Sequence, residues 1–351
     1  MSENNTGLIE RRPRRAAPAT GVTYAVDTKG LVKRYGDTVA LDGIDLQVPV
    51  GTVTAVLGPN GAGKTTAVRI LTTLSQADEG AATVAGFDVD RQATQVRRRI
   101  GLAAQDATVD PLLTGRENLV MLGELHQLSR RESAERAKVL LDDFSLTEAA
   151  DRVVSGYSGG MRRRLDLAAT LMSRPSVLFL DEPTTGLDPR ARAELWAVID
   201  TLVDRGTTVV LTTQYLDEAE RLADDIVVID HGKVIARGDA RTLKRTVGGD
   251  QVRVVVSDPH RLAEAARIVD DVTGFDVVVD TATRTVTGPT GRGVETVVLV
   301  AQALLRSRIG VDDLSLGQPT LDEVFLTLTG SPANDQANDQ VEDDEPAEEA
   351  S

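Results

Sequence analysis

The sequence contains no cysteine among its 351 residues, so no disulfide scaffold can form and nothing indicates a secreted fold. Long hydrophobic runs are also missing. The most apolar segment, Val297 to Leu305, is short and contains Gln302, whereas a helix that crosses a bilayer needs roughly 18 apolar residues. Because 41% of the residues are apolar, the chain can build two cores, and we expect a soluble, intracellular protein of more than one domain.

The 39 Lys and Arg are too few to balance the 54 Asp and Glu, and the formal net charge of −15 argues against a nucleic-acid partner because a phosphate backbone would be repelled. Residues 331–351 carry eight acidic side chains and no Lys or Arg, and we predict that this tail is disordered. Residues 1–20 have the opposite charge character, because four arginines surround Pro13, and we predict that they form a disordered basic tail. No apolar stretch follows them, so this is not a signal peptide. The arginines are solvated or, alternatively, contact anionic lipid.

Positions 58 to 66 have the spacing G-x-x-x-x-G-K-[ST] of a phosphate loop, and the apolar run before them predicts a strand that leads into it. The glycines let successive N–H groups point inward and form an anion site at a helix N-terminus. We expect Lys64 to reach the β- and γ-phosphates and Thr65 to offer its hydroxyl to Mg²⁺. The nucleotide-binding residues predicted from this loop are Gly58, Pro59, Asn60, Gly61, Ala62, Gly63, Lys64, Thr65 and Thr66.

Two adjacent carboxylates, Asp181 and Glu182, follow the apolar run 176–180, which predicts a strand buried on both faces. Asp181 is predicted to hold Mg²⁺ through its water shell, and Glu182 to orient or deprotonate an attacking water. The alternative is an acidic turn after a core strand. The upstream phosphate loop favours hydrolysis of a nucleotide.

A second glycine-rich segment, Tyr157-Ser-Gly-Gly-Met161, precedes an arginine triplet and an apolar helical pattern, and it suits a second anion-binding nest. With these motifs in this order, residues 22 to 240 resemble the ATP-binding cassette (ABC) family. The resemblance assigns Tyr35 to the adenine platform, Gln105 to the glutamine loop and the Mg²⁺ site, and Asp188 to the D-loop. It also implies that the signature residues act in trans, on ATP bound by a second copy: Ser158, Gly159 and Gly160.

Within that family the chain is similar to the ATP-binding subunits of daunorubicin and doxorubicin resistance exporters. The signature begins with Tyr157 and ends with Met161, and the position of the usual switch histidine is Gln214. The segment Pro319-Thr-Leu-Asp-Glu-Val-Phe-Leu326 is similar to the tail motif of this subfamily.

Gln214 is a candidate catalytic residue with a distinct chemistry. A protonated histidine can place a positive charge beside a γ-phosphate, whereas the neutral amide of glutamine can donate a hydrogen bond to it but contributes no charge. Hydrolysis is therefore expected to depend mainly on Glu182. The alternative is that Gln214 only caps the helix that follows it.

The expected fold class is α/β, a P-loop NTPase of the ABC nucleotide-binding type at residues 21–243 with a helical subdomain at about 106–163. Residues 248–330 show the element order βαββαβ, which suits a small ferredoxin-like α+β accessory domain, and the final helix is predicted at 321–328. We expect this domain to serve subunit contact or regulation.

The resemblance implies an ATPase that uses ATP and Mg²⁺, closes as a homodimer on two ATP molecules, and sits peripherally on the cytoplasmic face of the cell membrane. The membrane passage must come from a separate permease, and residues 110–117 are a candidate docking edge for it. The expected cargo is a drug-like antibiotic of the daunorubicin or doxorubicin type. The alternatives are a lipid or polysaccharide exporter, or a non-transport ABC ATPase that acts on ribosomes or DNA.

Overall fold

The computed structural model describes residues 23–104, 108–247 and 249–329. Gln105 and both predicted tails lie outside the described residues. The strands are β1 (Tyr24–Tyr35), β2 (Thr38–Ile44), β3 (Gln47–Pro49), β4 (Val53–Leu57), β5 (Glu79–Val84), β6 (Phe87–Asp88), β7 (Ile100–Ala103), β8 (Val177–Asp181), β9 (Thr208–Thr213), β10 (Asp225–Asp230), β11 (Lys233–Gly238), β12 (Gln251–Val256), β13 (Val278–Asp280), β14 (Thr285–Pro289) and β15 (Val311–Gly317).

The α-helices are α1 (Lys64–Leu71), α2 (Ala93–Arg97), α3 (Gly115–Leu125), α4 (Arg130–Asp143), α5 (Gly159–Thr170), α6 (Pro189–Asp204), α7 (Leu216–Leu222), α8 (Ala240–Val247), α9 (Leu262–Thr273), α10 (Val294–Arg306) and α11 (Leu321–Thr329). Short 3₁₀ turns occur at Thr147–Ala149, Val154–Gly156 and Pro259–Arg261.

A six-stranded sheet with the order β11-β10-β4-β9-β8-β7 forms the centre of the nucleotide-binding part. Its strands are parallel except β11, which pairs antiparallel with β10. Every residue of β4, β8 and β9 is buried, as expected for continuous apolar strands covered on both faces. The carboxyl ends of these three neighbouring strands therefore meet at one edge, where open α/β sheets bind their ligands.

Each face of this sheet contributes to a different core. Val56 and Phe179 pack with α1 and with a separate antiparallel sheet of order β2-β1-β5-β6, in which β3 also pairs with β1. Leu57 and Leu180 point to the other face and pack with helices α3 to α7. Alternation along a strand thus divides one apolar run between two cores.

The predicted helical region after position 106 consists of α3, α4 and α5 with the two 3₁₀ turns between them. Thr114 and Ser129 begin α3 and α4 with complete capping boxes, in which Glu117 and Glu132 accept from the N-cap backbone. Leu140, Leu141 and other apolar residues of α4 are buried in the shared core, as the spacing of three and four residues in the sequence predicts.

The C-terminal segment has the predicted order of strands and helices. Its antiparallel sheet has the order β13-β14-β12-β15. The helices α9 and α10 pack together with this sheet in a third core that includes Val254, Val269 and Val300. No helix within the described residues is long and apolar enough to cross a membrane.

The last helix departs from the sequence prediction, which placed it in the accessory domain. Leu321, Val324 and Phe325 of α11 are buried in the core of the nucleotide-binding part and not in the third core. There α11 packs against α7 and α8. The chain therefore leaves the nucleotide-binding part after α8 and returns to it with α11.

Replacing Phe325 with alanine is expected to lower the free energy of unfolding by about 3 to 5 kcal/mol, because a fully buried phenyl ring leaves a cavity. Urea titration followed by circular dichroism measures this change. Leu326→Ala is the matched control, since Leu326 is 46% exposed and its loss is expected to cost under about 1 kcal/mol. Equal losses in both variants would contradict the packing of α11.

Candidate functional site

The predicted phosphate loop connects β4 to α1. At two of its glycines, backbone atoms of other segments lie so close that a side chain would not fit. A Cβ at Gly58 would lie 2.3 Å from the carbonyl oxygen of Ile229, and one at Gly63 would lie 2.4 Å from that of Ala40. Gly63 also has a φ of 105° as the N-cap of α1, which only glycine adopts readily. These positions therefore require glycine for packing as well as for the curl of the loop.

The ammonium group of Lys64 lies over this loop. Nζ donates hydrogen bonds to the carbonyl oxygens of Gly58 at 2.7 Å and Pro59 at 2.9 Å. It also lies 3.7 Å from Oε1 of Glu182, and the lysine side chain is only 4% exposed. Burial lowers the pKa of Lys64, and the negative charges of Glu182 and Asp181 oppose this effect.

Asp181, at the end of β8, faces the first turn of α1. Oδ1 accepts a hydrogen bond from the Thr65 hydroxyl at 3.3 Å and a short one from the Thr212 hydroxyl. Carboxylate and hydroxyl oxygens are the hard ligands that Mg²⁺ prefers, so this pair fits a magnesium ion. Groups of three or more His, Cys, Asp or Glu residues with metal-site geometry are absent from the described parts of the chain. Mg²⁺ usually keeps several water and phosphate oxygens among its ligands, so a site with few protein ligands suits it.

Glu182 is held in an unusual backbone conformation, with a φ of 47°. Its N–H donates to Thr212, at 3.1 Å to the carbonyl oxygen and 3.2 Å to the hydroxyl, and Oε2 accepts from the Thr185 hydroxyl at 3.3 Å. A left-handed conformation costs a non-glycine residue roughly 1 to 2 kcal/mol. The surrounding contacts therefore fix where this carboxylate lies.

A cleft of about 770 Å³ joins these groups. The predicted site residues that line it are Asn60, Gly61, Gly63, Lys64, Thr65, Thr66, Gly159, Glu182 and Gln214. Asp181 is not among the lining residues, but it accepts a hydrogen bond from Thr65, which does line the cleft. Tyr35 is not among the lining residues; it lies at the end of β1, 49% exposed, with Lys33 Nζ 5.4 Å from the ring centre. Ala40 of the same hairpin does line the cleft.

The signature residues and Asp188 lie at helix starts. Ser158 caps α5, where Oγ accepts from the N–H of Met161 at 3.3 Å. A Cβ at Gly160 would come within 3.0 Å of Ala191, so this glycine allows α5 to approach α6. Asp188 caps α6 by accepting from the N–H of Ala191 at 2.8 Å. Ser158, Gly160 and Asp188 therefore have local structural roles in their own chain.

Gln214 lies between β9 and α7 and lines the same cleft as the phosphate loop. The N-cap of α7 is Tyr215, whose side chain makes no capping hydrogen bond, and in the first turn the N–H of Glu218 donates to Asp217 Oδ1 at 2.9 Å. The alternative role of Gln214 as a helix cap thus has no support in the described contacts.

Sequence analysis missed Arg163, a side chain that lines the cleft. Its guanidinium donates to backbone carbonyls beside Glu182. The only sequence signal is the triplet 162–164, and neighbouring helix positions point in different directions. Arg162 also lines the cleft but is exposed, whereas Arg164 contacts Phe144 and Glu194. Composition alone does not show which arginine reaches the backbone of Glu182.

Comparison with known proteins agrees with this geometry. The ABC transporter family model matches residues 41–185. The daunorubicin resistance ATP-binding protein DrrA2 of Streptomyces coeruleorubidus is 52% identical over 88% of this chain and 95% of its own length. The daunorubicin/doxorubicin resistance ATP-binding protein DrrA of Streptomyces peucetius is 48% identical over 93% of this chain and 98% of its own length.

A solved structure of the dimeric post-hydrolysis state of the ATP-binding cassette MJ0796, bound to ADP and Pi, matches with a TM-score of 0.56. It is 27% identical and covers 61% of this chain and 98% of that chain. The fold, the cleft and the two near-full-length relatives lead to one conclusion: this chain belongs to the ABC transporter ATP-binding subunits of the daunorubicin/doxorubicin resistance family.

Proposed function

We propose that this chain hydrolyses ATP to drive export of drug-like compounds of the daunorubicin or doxorubicin type through a separate membrane permease. The observation that carries the hydrolytic step is the 3.7 Å approach of Lys64 Nζ to Glu182 Oε1 in the cleft. This places a cation for phosphate and a carboxylate for water within one site. Both are needed for positioning and charge stabilisation in phosphoryl transfer.

Each residue of the site has a proposed role that follows from its chemistry. The loop N–H groups and Lys64 hold the β- and γ-phosphates, and Tyr35 stacks on the adenine. Glu182 accepts a proton from the attacking water or orients it, and Gln214 donates a hydrogen bond to the γ-phosphate. Thr65 and Asp181 hold Mg²⁺, which neutralises phosphate charge when bound, and Gln105 is its further proposed ligand.

The site is completed by a second copy of the chain. Ser158, Gly159 and Gly160 begin α5 with the N-terminal end of its dipole, which favours an anionic phosphate. In the proposed ATP-bound homodimer they contact the γ-phosphate of the partner's ATP, and Asp188 contributes from the D-loop. The likeness to the dimeric ATP-binding cassette MJ0796 supports this arrangement.

The cargo follows from the relatives, whose names state resistance to daunorubicin and doxorubicin. The permease is a separate polypeptide, so we place this chain peripherally at the cytoplasmic face of the membrane. The segment 110–117 is the proposed docking edge, and its Leu112 is 80% exposed. The acidic chain is not expected to bind nucleic acid.

Of the predicted domains at 21–243 and 248–330, we propose that the second is a ferredoxin-like accessory domain as far as β15, whereas α11 packs in the core of the nucleotide-binding domain. The element order βαββαβ and the antiparallel order β13-β14-β12-β15 support this assignment. We assign it to subunit contact or regulation.

Glu182→Gln is expected to keep nucleotide affinity and to lower ATP turnover about 10²- to 10⁴-fold, because an amide cannot accept the proton. Lys64→Ala is the contrasting variant. It is expected to weaken nucleotide binding at least about tenfold, since a charge-assisted contact is lost. Phosphate release and equilibrium nucleotide binding measure the two effects. Normal turnover by Glu182→Gln would overturn the assignment of the base.

Gln214→Ala is expected to lower turnover about 10- to 100-fold through loss of one hydrogen bond to a charged phosphate. Gln214→His is expected to retain activity that rises as the pH falls through the histidine pKa, near 6.5, where the ring gains charge. Steady-state ATPase assays between pH 5.5 and 8 measure both. The control is Gln302→Ala, an exposed position of α10. Unchanged turnover in both Gln214 variants would rule out the switch role.

Drug export is tested by replacing the chain with Glu182→Gln in its native cell and measuring daunorubicin accumulation. We expect accumulation to rise as the pump loses its energy source, whereas Gln302→Ala should behave as wild type. Unchanged accumulation would point to a lipid or polysaccharide cargo.

Mass spectrometry of proteins captured from membranes by Glu182→Gln with Mg-ATP should identify a permease, and ribosomal or DNA-repair proteins would contradict transport.

A further inference from the structure

The guanidinium of Arg163 binds the backbone on both sides of the catalytic carboxylate. Nε donates to the carbonyl oxygen of Pro183 at 2.9 Å, and Nη2 lies 3.3 Å from each of the carbonyl oxygens of Asp181 and Glu182. Nη1 donates to the carbonyl oxygen of Ala104 at 2.8 Å. All three nitrogens are thus used on backbone oxygens at the ends of β7 and β8. Such a planar fork suits an arginine and not a lysine.

These contacts matter because the backbone of Glu182 is disfavoured for two reasons. Its φ of 47° is a left-handed value, which a residue with a Cβ rarely adopts. In addition, the next residue is Pro183, and a residue before proline favours an extended φ near −120°. Strained conformations of this kind persist when surrounding contacts over-determine them. The fork from Arg163 and the two bonds to Thr212 are those contacts.

The helix that carries Arg163 is itself anchored beside the site. Asp166 lies one turn further along α5, and its Oδ1 accepts from the N–H groups of Thr108 at 2.9 Å and Val109 at 3.2 Å. Asp166 is buried, and its charge faces that of Arg163. These two hydrogen bonds therefore anchor α5, the helix that carries Arg163, to the segment at Thr108 and Val109.

From this arrangement we propose that Arg163 is a positioning residue for hydrolysis, one that holds Glu182 in its left-handed conformation so that the carboxylate stays beside Lys64. The proposal rests on the proposed role of Glu182 as the catalytic base. Arg163 acts on the backbone and so governs the chemical step and not nucleotide affinity. Without the fork, the backbone of Glu182 relaxes toward an extended conformation and moves its carboxylate away from the attacking water, while Asp181 stays paired within the sheet.

Arg163→Leu is therefore expected to lower kcat about 10- to 100-fold, because a displacement of about 1 Å at a catalytic group costs this much. The KM for ATP and the equilibrium affinity for ATP should stay within about twofold of wild type, since the phosphate loop is untouched. Arg163→Lys keeps the charge but loses the planar fork, and it should recover only part of kcat. It also provides a readout if the leucine variant folds poorly.

Arg136→Leu is the matched control for lost stability. Arg136 is also partly buried and also donates to backbone carbonyls, those of Leu171 and Met172, beyond the opposite end of α5 from the cleft. Its loss is expected to lower the Tm without a comparable fall in kcat. If Arg136→Leu and Arg163→Leu lose Tm and kcat in the same proportion, Arg163 is only a structural residue. A rise in KM with kcat unchanged would instead mean that Arg163 binds nucleotide directly.

The deciding measurement is the double variant Arg163→Leu with Glu182→Gln, assayed by single-turnover hydrolysis. If Arg163 acts through Glu182, adding the leucine to the glutamine variant should lower the rate by less than about threefold, because effects within one unit are not additive. A full additional loss would overturn the inference. The Glu182→Gln variant alone tests the proposed base, so a failure there is distinguishable from a failure of the Arg163 role.

Discussion

The parallel pairing of β4, β9 and β8 is the constraint on which the site depends. Leu57 pairs with Thr213, and Asp181 pairs with Thr212, so the phosphate loop, the acidic pair and Gln214 leave the sheet at one edge. A shift of one residue in either register would move a group by roughly 3.3 Å, more than a hydrogen bond tolerates. Burial of the three strands on both faces specifies that register, because each slip would exchange the side chains of two cores.

Backbone geometry contributes as much to this site as side-chain chemistry does. Gly58 and Gly63 lie where a Cβ would collide with neighbouring carbonyl groups, and Glu182 adopts a conformation that its residue type disfavours. Neighbouring hydrogen bonds compensate for this local cost, which is common where a structure preorganises charged groups. The burial of Lys64 also carries a free-energy cost, because its charge is removed from water. The nearby carboxylates of Glu182 and Asp181 compensate for this cost.

The two parts of the molecule are joined more closely than a simple linker would allow. The segment between α8 and α11 builds a sheet with its own core, and both flanking helices pack within the core of the nucleotide-binding part. There α11 contacts α7, which begins two residues after Gln214. The C-terminal unit is thus attached to the nucleotide-binding part at both of its ends.

The sequence by itself determined the phosphate loop, the acidic pair and the order of strands and helices, because glycine spacing, capping residues and apolar periodicity act over a few neighbouring residues. Tertiary structure decided which distant groups meet. The apolar pattern of 321–328 predicts a helix but not the surface it covers, so the packing of α11 on α7 and α8 was unforeseen. The triplet at 162–164 likewise does not show which way each arginine points, and only the position of α5 in the folded chain brings Arg163 to the backbone of Glu182.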